Sequence, residues 1–374
     1  MEIRDPIHGN IEINETVEKI IDTPEMQRLR YIKQLDMTYL VFPGAMHSRF
    51  EHSLGTMQVT KELVAKTYKE KGAEFSYVGL LHDIGHGPFS HLSEYFMKKY
   101  LGKNHEQIGE DRIRKSEIKD IISDSGLSFS RIMSYFKEAY DIDIVGGTLG
   151  SDRIDYLMRD SHYTGVAFGI IDYDRLKNRL MLSKGKVAVV HSGISAAESM
   201  LIARYFMYTN VYTHHAKMIA NRMLQNAIGI AIERNVIDAE ELSSMYDDQL
   251  ISRLLNSKVK PVSGTVDRIM KRQLFKRAYY QTMKNEVNTK GLEDAIMKSG
   301  LEKTDFVVHQ LSLGGAKDDI DVVDSEGVLM GKLSEMSPLV KTLGSVLADT
   351  KTLLVACDKK NVEKVGSIVK RFVK

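Results

Sequence analysis

The sequence predicts a mostly α protein that ends in a small α+β subdomain. Helical periodicity dominates the first 300 residues, a single β-hairpin signal interrupts it, and short β-branched or apolar runs replace it after about Gly300.

From Val17 to Gln34 apolar residues recur at helical steps, and Thr23-Pro24 divides the stretch into two short helices. A loop at Phe42-Pro43-Gly44 leads into a helix from near Ser48 that carries Phe50, Leu54, Met57, Leu63 and Val64. Ser76–Asp83 reads as a buried helix, because Val78, Leu80, Leu81 and Ile84 leave almost no polar face, and Gly85-His86-Gly87-Pro88 ends it. Ser90–Leu101, His105–Ser123, Ser128–Tyr140 and Ser151–Asp160 follow as helices, and Ile194–Arg234 as one long helical stretch. The hairpin signal lies at Leu180–Ser192, where apolar runs flank the three residues Lys184-Gly185-Lys186. In the tail, Asp305–Leu313, Asp319–Val323 and Thr352–Cys357 read as strands and Asn361–Val373 as an amphipathic helix. The expected division is a helical domain over 1–300, with its hairpin near 180–192, and an α+β subdomain over 301–374.

With 43% hydrophobic and 27% charged residues the chain belongs among folded globular proteins. Its 52 basic and 50 acidic residues nearly cancel, so bulk charge predicts neither a nucleic-acid nor a membrane partner, and an anionic ligand must meet a local cluster. A lone cysteine, Cys357, excludes an internal disulfide and a structural zinc knuckle. No apolar run approaches the ~18 residues of a membrane span and no signal-peptide pattern occurs, so the expected location is cytoplasmic.

The strongest chemical signal is the adjacent pair His82-Asp83 in an apolar helix. A buried carboxylate needs a compensating cation or hydrogen bonds, and imidazole with carboxylate suits zinc, iron, manganese or nickel. Arg49 and His52 lie at i and i+3 on one helix face, anion-holder and ligand respectively. Ser151 reads as the N-cap of a helix presenting Asp152, Tyr156 and Arg159, with Asp152 placed to complete the metal shell. Each piece alone has a plain structural reading, Asp152 for instance as a first-turn acid on the helix dipole. Their concurrence with His86, His91 and His105 favours a site.

The order His52, His82-Asp83, Asp152 resembles the H…HD…D signature of the HD-domain phosphohydrolases. Longer stretches narrow the resemblance to the deoxynucleoside triphosphate triphosphohydrolase branch: Asp5-Pro6-Ile7-His8-Gly9, Gln27-Arg28-Leu29-Arg30, Val41-Phe42-Pro43-Gly44-Ala45, Arg49-Phe50-Glu51-His52-Ser53-Leu54-Gly55 and the run from His82 to His91. It covers Met1 to about Ala216 closely and fades afterwards.

The resemblance implies an HD-domain helical bundle with a divalent transition metal (Mn, Fe, Zn, Co or Ni) on His52, His82, Asp83 and Asp152, and magnesium in addition. His86, His91 and His105 match histidines of the phosphate pocket, and His91 with Glu94 matches the pair that protonates the leaving group, although the family often has aspartate in place of Glu94. Arg49, Arg153, Tyr156, Asp160, Arg204 and Tyr212 match triphosphate and sugar contacts, Arg153 standing where lysine occurs. Gln34 and Leu35 match residues around the deoxyribose, and Thr213 replaces a glutamine expected near the base. Asp22, Gln27 and Arg30 match a regulatory guanine site of some members, against the plain reading of a helix cap and a solvated face. The implied assembly is a homodimer or homotetramer.

The chemistry agrees: a metal lowers the pKa of bound water, arginines neutralise charge growing on phosphate, and a histidine can protonate the departing 5′ oxygen. The expected reaction is hydrolysis of a (deoxy)nucleoside triphosphate at the α-phosphorus, to nucleoside and triphosphate. The rivals are a phosphomonoesterase or phosphodiesterase on the same metal site, and a nucleotide-sensing or nucleic-acid-binding module.

Overall fold

A computed structural model describes residues 1–67, 74–283, 285–312, 319–349 and 351–373. The chain opens with an antiparallel hairpin, Glu2–Asp5 against Gly9–Glu12, which periodicity did not signal. Its turn forms because the Asp5 carboxylate accepts the N–H groups of Ile7 and His8, both at 2.9 Å. Helices Glu15–Ile21 and Pro24–Arg28 follow, broken at Thr23-Pro24 as expected: Thr23 caps the second, and Asp22 closes the first.

The centre of the molecule is the helix Arg49–Thr67, flanked by Glu74–Leu81 on one side and Ser151–Thr164 on the other. Two glycines permit this close packing. A Cβ on Gly55 would sit 1.9 Å from Asp155 Oδ1, and one on Gly79 would sit 2.5 Å from Thr60 Oγ1. Helices His91–Leu101, His105–Lys115, Ile118–Asp124 and Phe129–Asp141 complete this half. The stretch expected as one helix over 105–123 is two, parted at Ser116, whose extended backbone ends the first. Ser151 is not the N-cap but the first helical residue, after Gly150, and its hydroxyl bonds that of Thr60 at 2.7 Å.

The long helix expected over 194–234 is also interrupted. Helix Ile194–Met207 passes into a π-turn, Tyr208–Tyr212, before the helix His215–Glu233. Polar side chains take the carbonyls there: Thr213 Oγ1 donates to Tyr208 O at 2.7 Å, and Asn210 Nδ2 to Phe206 O at 2.9 Å. His214 caps the following helix and does not reach the cavity described below. A second core forms where His215–Glu233 packs on Lys260–Met270 and Asp247–Leu255.

The hairpin near 180–192 is present as Leu180–Ser183 and Lys186–Val190. Its loop is two residues rather than three. Lys184 and Gly185 both have positive φ, 49° and 78°, the combination that matches the right-handed twist of the strands. The expected boundary at residue 300 does not follow the sheets. Val189 and Val190 pair in parallel with Val322 and Val323, and Lys276–Met283 lies beside the central strand Lys351–Cys357, with Phe306–Ser312 on its other side. The reason is burial: Ile320, Val322 and Leu333 pack into the first core, and the 351–357 strand needs a neighbour on each edge. Leu313, expected at the end of a strand, lies outside the described residues. The basic run from Lys271 to Arg277 is a loop entering a strand. No helix among the described residues is long and apolar enough to cross a membrane.

Candidate active site

Three elements converge. Helix Arg49–Thr67 brings His52, the first turn of Ser151–Thr164 brings Asp152, and the chain leaving Glu74–Leu81 brings His82 and Asp83. The pair is not inside the helix as expected but in the turn that ends it, where Ile84 N–H reaches Leu81 O at 3.2 Å and His86 N–H reaches Asp83 O at 3.0 Å. That turn frees both side chains from the helix surface so that they face one point. Ligand atoms of His52, His82 and Asp83 lie within 4.8 Å of one another. Asp152 Oδ1 stands 3.0 Å from His52 Nε2 and 3.8 Å from His82 Nε2.

The hydrogen bonds prepare both imidazoles for a cation. His82 Nδ1 donates to Gly79 O at 2.8 Å, leaving Nε2 buried and without a partner. His52 Nδ1 donates to Asp155 at 2.7 Å, which turns Nε2 toward Asp152. Burial disfavours charge on His52, yet its bonds to Asp152 and Asp155 outweigh it and push the pKa up to about 10. The carboxylates thus create a demand for positive charge, and an orphaned nitrogen, two imidazoles and two carboxylates form a donor set suited to a divalent transition metal.

Around this point the expected phosphate residues gather. Arg49 is buried, donates to Ser90 Oγ at 2.6 Å and pairs with Asp83. His86 stacks on His105, ring centres 4.0 Å apart, and burial, with Arg49 and His105 nearby, holds its pKa well below the usual range. Glu94 departs from expectation. It bonds His105 Nδ1 at 2.8 Å, whereas His91 is largely exposed with Nδ1 3.8 Å from the carboxylate. Helix geometry places His91 and Glu94 on one face, but the start of the next helix brings His105 closer.

A cavity of about 600 Å³ opens from the ligands. His82, Asp83, Asp152, Arg49, His86, His91 and His105 line its near part, and Gln34, Leu35, Arg153, Tyr156, Asp160, Arg204 and Tyr212 the remainder, so most of the expected site is brought together. His52 and Glu94 stand behind this lining. Tyr212 donates to Asp160 at 2.7 Å, and burial beside that carboxylate holds its hydroxyl well above its usual pKa, hence protonated. Arg159 is elsewhere: it is fully buried, bonded twice to Asp155 at 2.9 Å and once to Asp5 at 2.8 Å.

Sequence reasoning missed the residues behind the site. Asp155 holds His52, Arg159 and, at 2.7 Å, His8, so the opening hairpin braces the candidate metal ligand His52. The signal available was a second acid three residues after Asp152, with Arg159 four residues further along the same helix face. Asp247 was also missed. Its two oxygens accept the N–H of Phe89 at 2.7 Å and of Lys33 at 3.0 Å, tying together the two loops that carry His86 and Gln34.

Burial pushes the Asp247 carboxyl up to about 6 despite these bonds. A raised folded pKa means that the folded state holds the proton more tightly than the unfolded chain, whose carboxyl titrates near 3.8. This contribution is present below the unfolded pKa and lost as pH rises through the folded one. The unfolding free energy of the native protein relative to Asp247→Asn, from urea titrations, is therefore expected to fall by about 2 kcal/mol between pH 4 and 7. A constant difference would refute it.

Residues 49–157 match the HD domain, and residues 171–374 match the HD associated region. Two uncharacterized curated relatives, from Methanocaldococcus jannaschii and Bacillus subtilis, are 39% and 33% identical over 73% and 60% of this chain. The chain spans only 58% and 55% of their lengths. A Dictyostelium discoideum protein named deoxynucleoside triphosphate triphosphohydrolase SAMHD1 homolog is 30% identical over 361 residues, 86% of this chain and 70% of that one. The crystal structure of a hypothetical protein from Aquifex aeolicus superposes with a TM-score of 0.83 at 32% identity, covering 99% of both chains. A phosphohydrolase of Bacteroides thetaiotaomicron shares the fold, with a TM-score of 0.77 at 24% identity over 96% of this chain and 100% of that one. The chain belongs to the HD-domain family, as a member in which the HD domain is followed by an HD-associated region.

Proposed function

We propose that this chain hydrolyses nucleoside triphosphates, deoxynucleotides among them, to nucleoside and triphosphate, with a divalent transition metal held by His52, His82, Asp83 and Asp152. The observation that carries it is a concentration of unmet polar groups. Among the described residues, seven buried side-chain atoms without a hydrogen-bond partner belong to residues that line this one cavity: Gln34 Oε1, Asp36 Oδ1, His82 Nε2, His86 Nδ1, Arg153 Nη1, Arg204 Nε and Asn221 Oδ1. Such groups are costly unless a ligand meets them, and cationic and histidine donors on one part with acceptors on another suit a phosphate chain joined to a polar base.

When bound, the metal supplies Lewis-acid activation of water and of a phosphoryl oxygen. Arg49, Arg153 and Arg204 neutralise the polyphosphate, and three cations suit a triphosphate better than a monophosphate. Tyr156, Tyr212 and Asp160 orient the sugar, with Gln34 and Leu35 packed against it. Attack of water at the α-phosphorus breaks the bond to the 5′ oxygen, which then takes a proton. Two histidines share Glu94, and the shorter bond favours His105 over His91 as the proton source. Assembly as a dimer or tetramer, which the resemblance to the triphosphohydrolase branch implies, and a cytoplasmic location, which the lone cysteine favours, belong to the same reading.

Incubating the full chain with each dNTP, NTP and a phosphomonoester, with Mn²⁺, Co²⁺, Ni²⁺ and Mg²⁺ in turn, is expected to release triphosphate from a nucleoside triphosphate. Release of phosphate alone, or no turnover with any metal, would refute the proposal. In the same assay His105→Ala should lower kcat by about 10²–10⁴ and His91→Ala by less; the reverse order returns the proton to His91.

A further inference from the structure

The cavity contains a polar cluster to which the hydrolytic reading gives no individual role. Asp36 is only 4% exposed and its backbone lies in the left-handed region at φ 51°, which fixes the carboxylate between two side chains of helix His215–Glu233. Its Oδ2 accepts from Asn221 Nδ2 at 3.3 Å and lies 4.0 Å from Lys217 Nζ. Lys217 and Asn221, four residues apart, share one helix face, with Asp36 between them. Because Asn221 gives its NH₂ to Asp36, its own Oδ1 points elsewhere. That oxygen and Asp36 Oδ1 are both buried without a partner, and both residues line the cavity.

The array thus offers, in order, a donor (the Lys217 ammonium), an acceptor (the Asp36 carboxylate) and an acceptor (the Asn221 carbonyl). Guanine has the complementary edge: the O6 acceptor, the N1–H donor and the N2 amino donor. Adenine presents an amino donor to the ammonium and a bare N1 to the carboxylate. Cytosine likewise meets donor with donor and acceptor with acceptor. Thymine satisfies the first two positions but turns its O2 toward the Asn221 oxygen.

The place also suits a base. Tyr212, bonded to Asp160 at 2.7 Å, lies five residues before Lys217 and leads into the helix that carries Lys217 and Asn221, so the array adjoins the Asp160 end of the cavity. Asp160 follows Asp152 by eight residues on one helix, about 12 Å along its axis. The array is therefore at the end of the cavity away from the metal donors.

We propose that Lys217, Asp36 and Asn221 form a base-reading subsite selective for guanine. This rests on the nucleotide reading of the cavity, and deepens it from any triphosphate to guanine nucleotides. A buried carboxylate left unpaired by the wrong base is what discriminates.

The test is equilibrium binding of dGMP, dIMP, dAMP and TMP to the full-length, metal-loaded protein. dGMP is expected to bind about tenfold more tightly than dIMP, which lacks only the N2 amino group, and more tightly again than dAMP. Asp36→Asn, which keeps the size and tolerates positive φ, should erase the difference between dGMP and dAMP. Equal binding of all four nucleotides overturns the proposal, and equal binding of dGMP and dIMP removes Asn221 from it. The ligand series on the native protein decides between these outcomes even if the variant fails to fold. A guanine preference without triphosphate release from any nucleotide would leave the subsite standing and remove the hydrolytic reading. Turnover of every dNTP with no base preference would do the opposite.

Discussion

Replacing Asp152 by asparagine is expected to abolish hydrolysis while leaving the fold intact. The side chain is 30% exposed, so little packing depends on it. Burial raises its pKa, but the hydrogen bond from His52 and the nearby imidazole of His82 outweigh that and hold the carboxyl far below the usual carboxylate range. What the substitution removes is a negative charge facing two imidazoles. A neutral amide oxygen is a poor metal ligand, and loss of several kcal/mol of metal-dependent stabilisation corresponds to a fall in kcat/KM of at least about 10³. Metal content measured by elemental analysis of protein purified without chelator should drop in parallel, with an unfolding midpoint equal to that of the native protein once both are stripped of metal. An active, fully metallated variant would remove Asp152 from the ligand set.

The largest effect on stability is expected from Asp155→Ala. This carboxylate is wholly buried and serves three partners at once: the His52 imidazole, the His8 imidazole and the Arg159 guanidinium. Truncation leaves Arg159, itself fully buried, with Asp5 as its remaining acid. Breaking one side of a buried ion pair costs about 3–5 kcal/mol, which urea unfolding would register as a lowered midpoint. Asp155→Asn keeps the volume and one acceptor, so its stability loss should be smaller, while its weaker hold on His52 should reduce metal affinity by about 10–100-fold. A stability loss for Asp155→Ala below about 1 kcal/mol would show that Asp5 alone compensates Arg159.

These two experiments separate what is legible locally from what is not. His82 and Asp83 could be picked out because their residue types are anomalous where they stand, polar groups in apolar helical text, and His52 and Asp152 because they fall in order around that pair as in the HD signature. Asp155 is equally buried but looks like an ordinary helix acid, and only contact with the opening hairpin and with Arg159 gives it its place. Glu94 shows the limit of spacing arguments. Three residues from His91 on one helix, it is nevertheless claimed by His105 from the next helix, because that ring approaches to 2.8 Å.

The same contrast runs through the fold. Helical periodicity located the main helices, since burial of one face is a local constraint repeated every turn. It could not locate the π-turn at Tyr208–Tyr212, where Thr213 and Asn210 draw carbonyls out of the helical ladder, nor foresee that the 180–190 hairpin would be extended by Val322 and Val323. Strand pairing joins residues more than a hundred positions apart, and nothing in a short window records it.

By itself, then, the sequence determined a mostly helical chain and its kinship with the HD-domain proteins, and singled out the four residues proposed to hold the metal, because side-chain chemistry and periodicity are properties of residues and their near neighbours. Tertiary structure alone decided which acid orients which histidine, where the two loops are tied by Asp247, and that Asp36 meets Lys217 and Asn221 at the far end of the cavity. Those are contacts between distant segments, chosen by packing and by the cost of leaving a buried polar group without a partner.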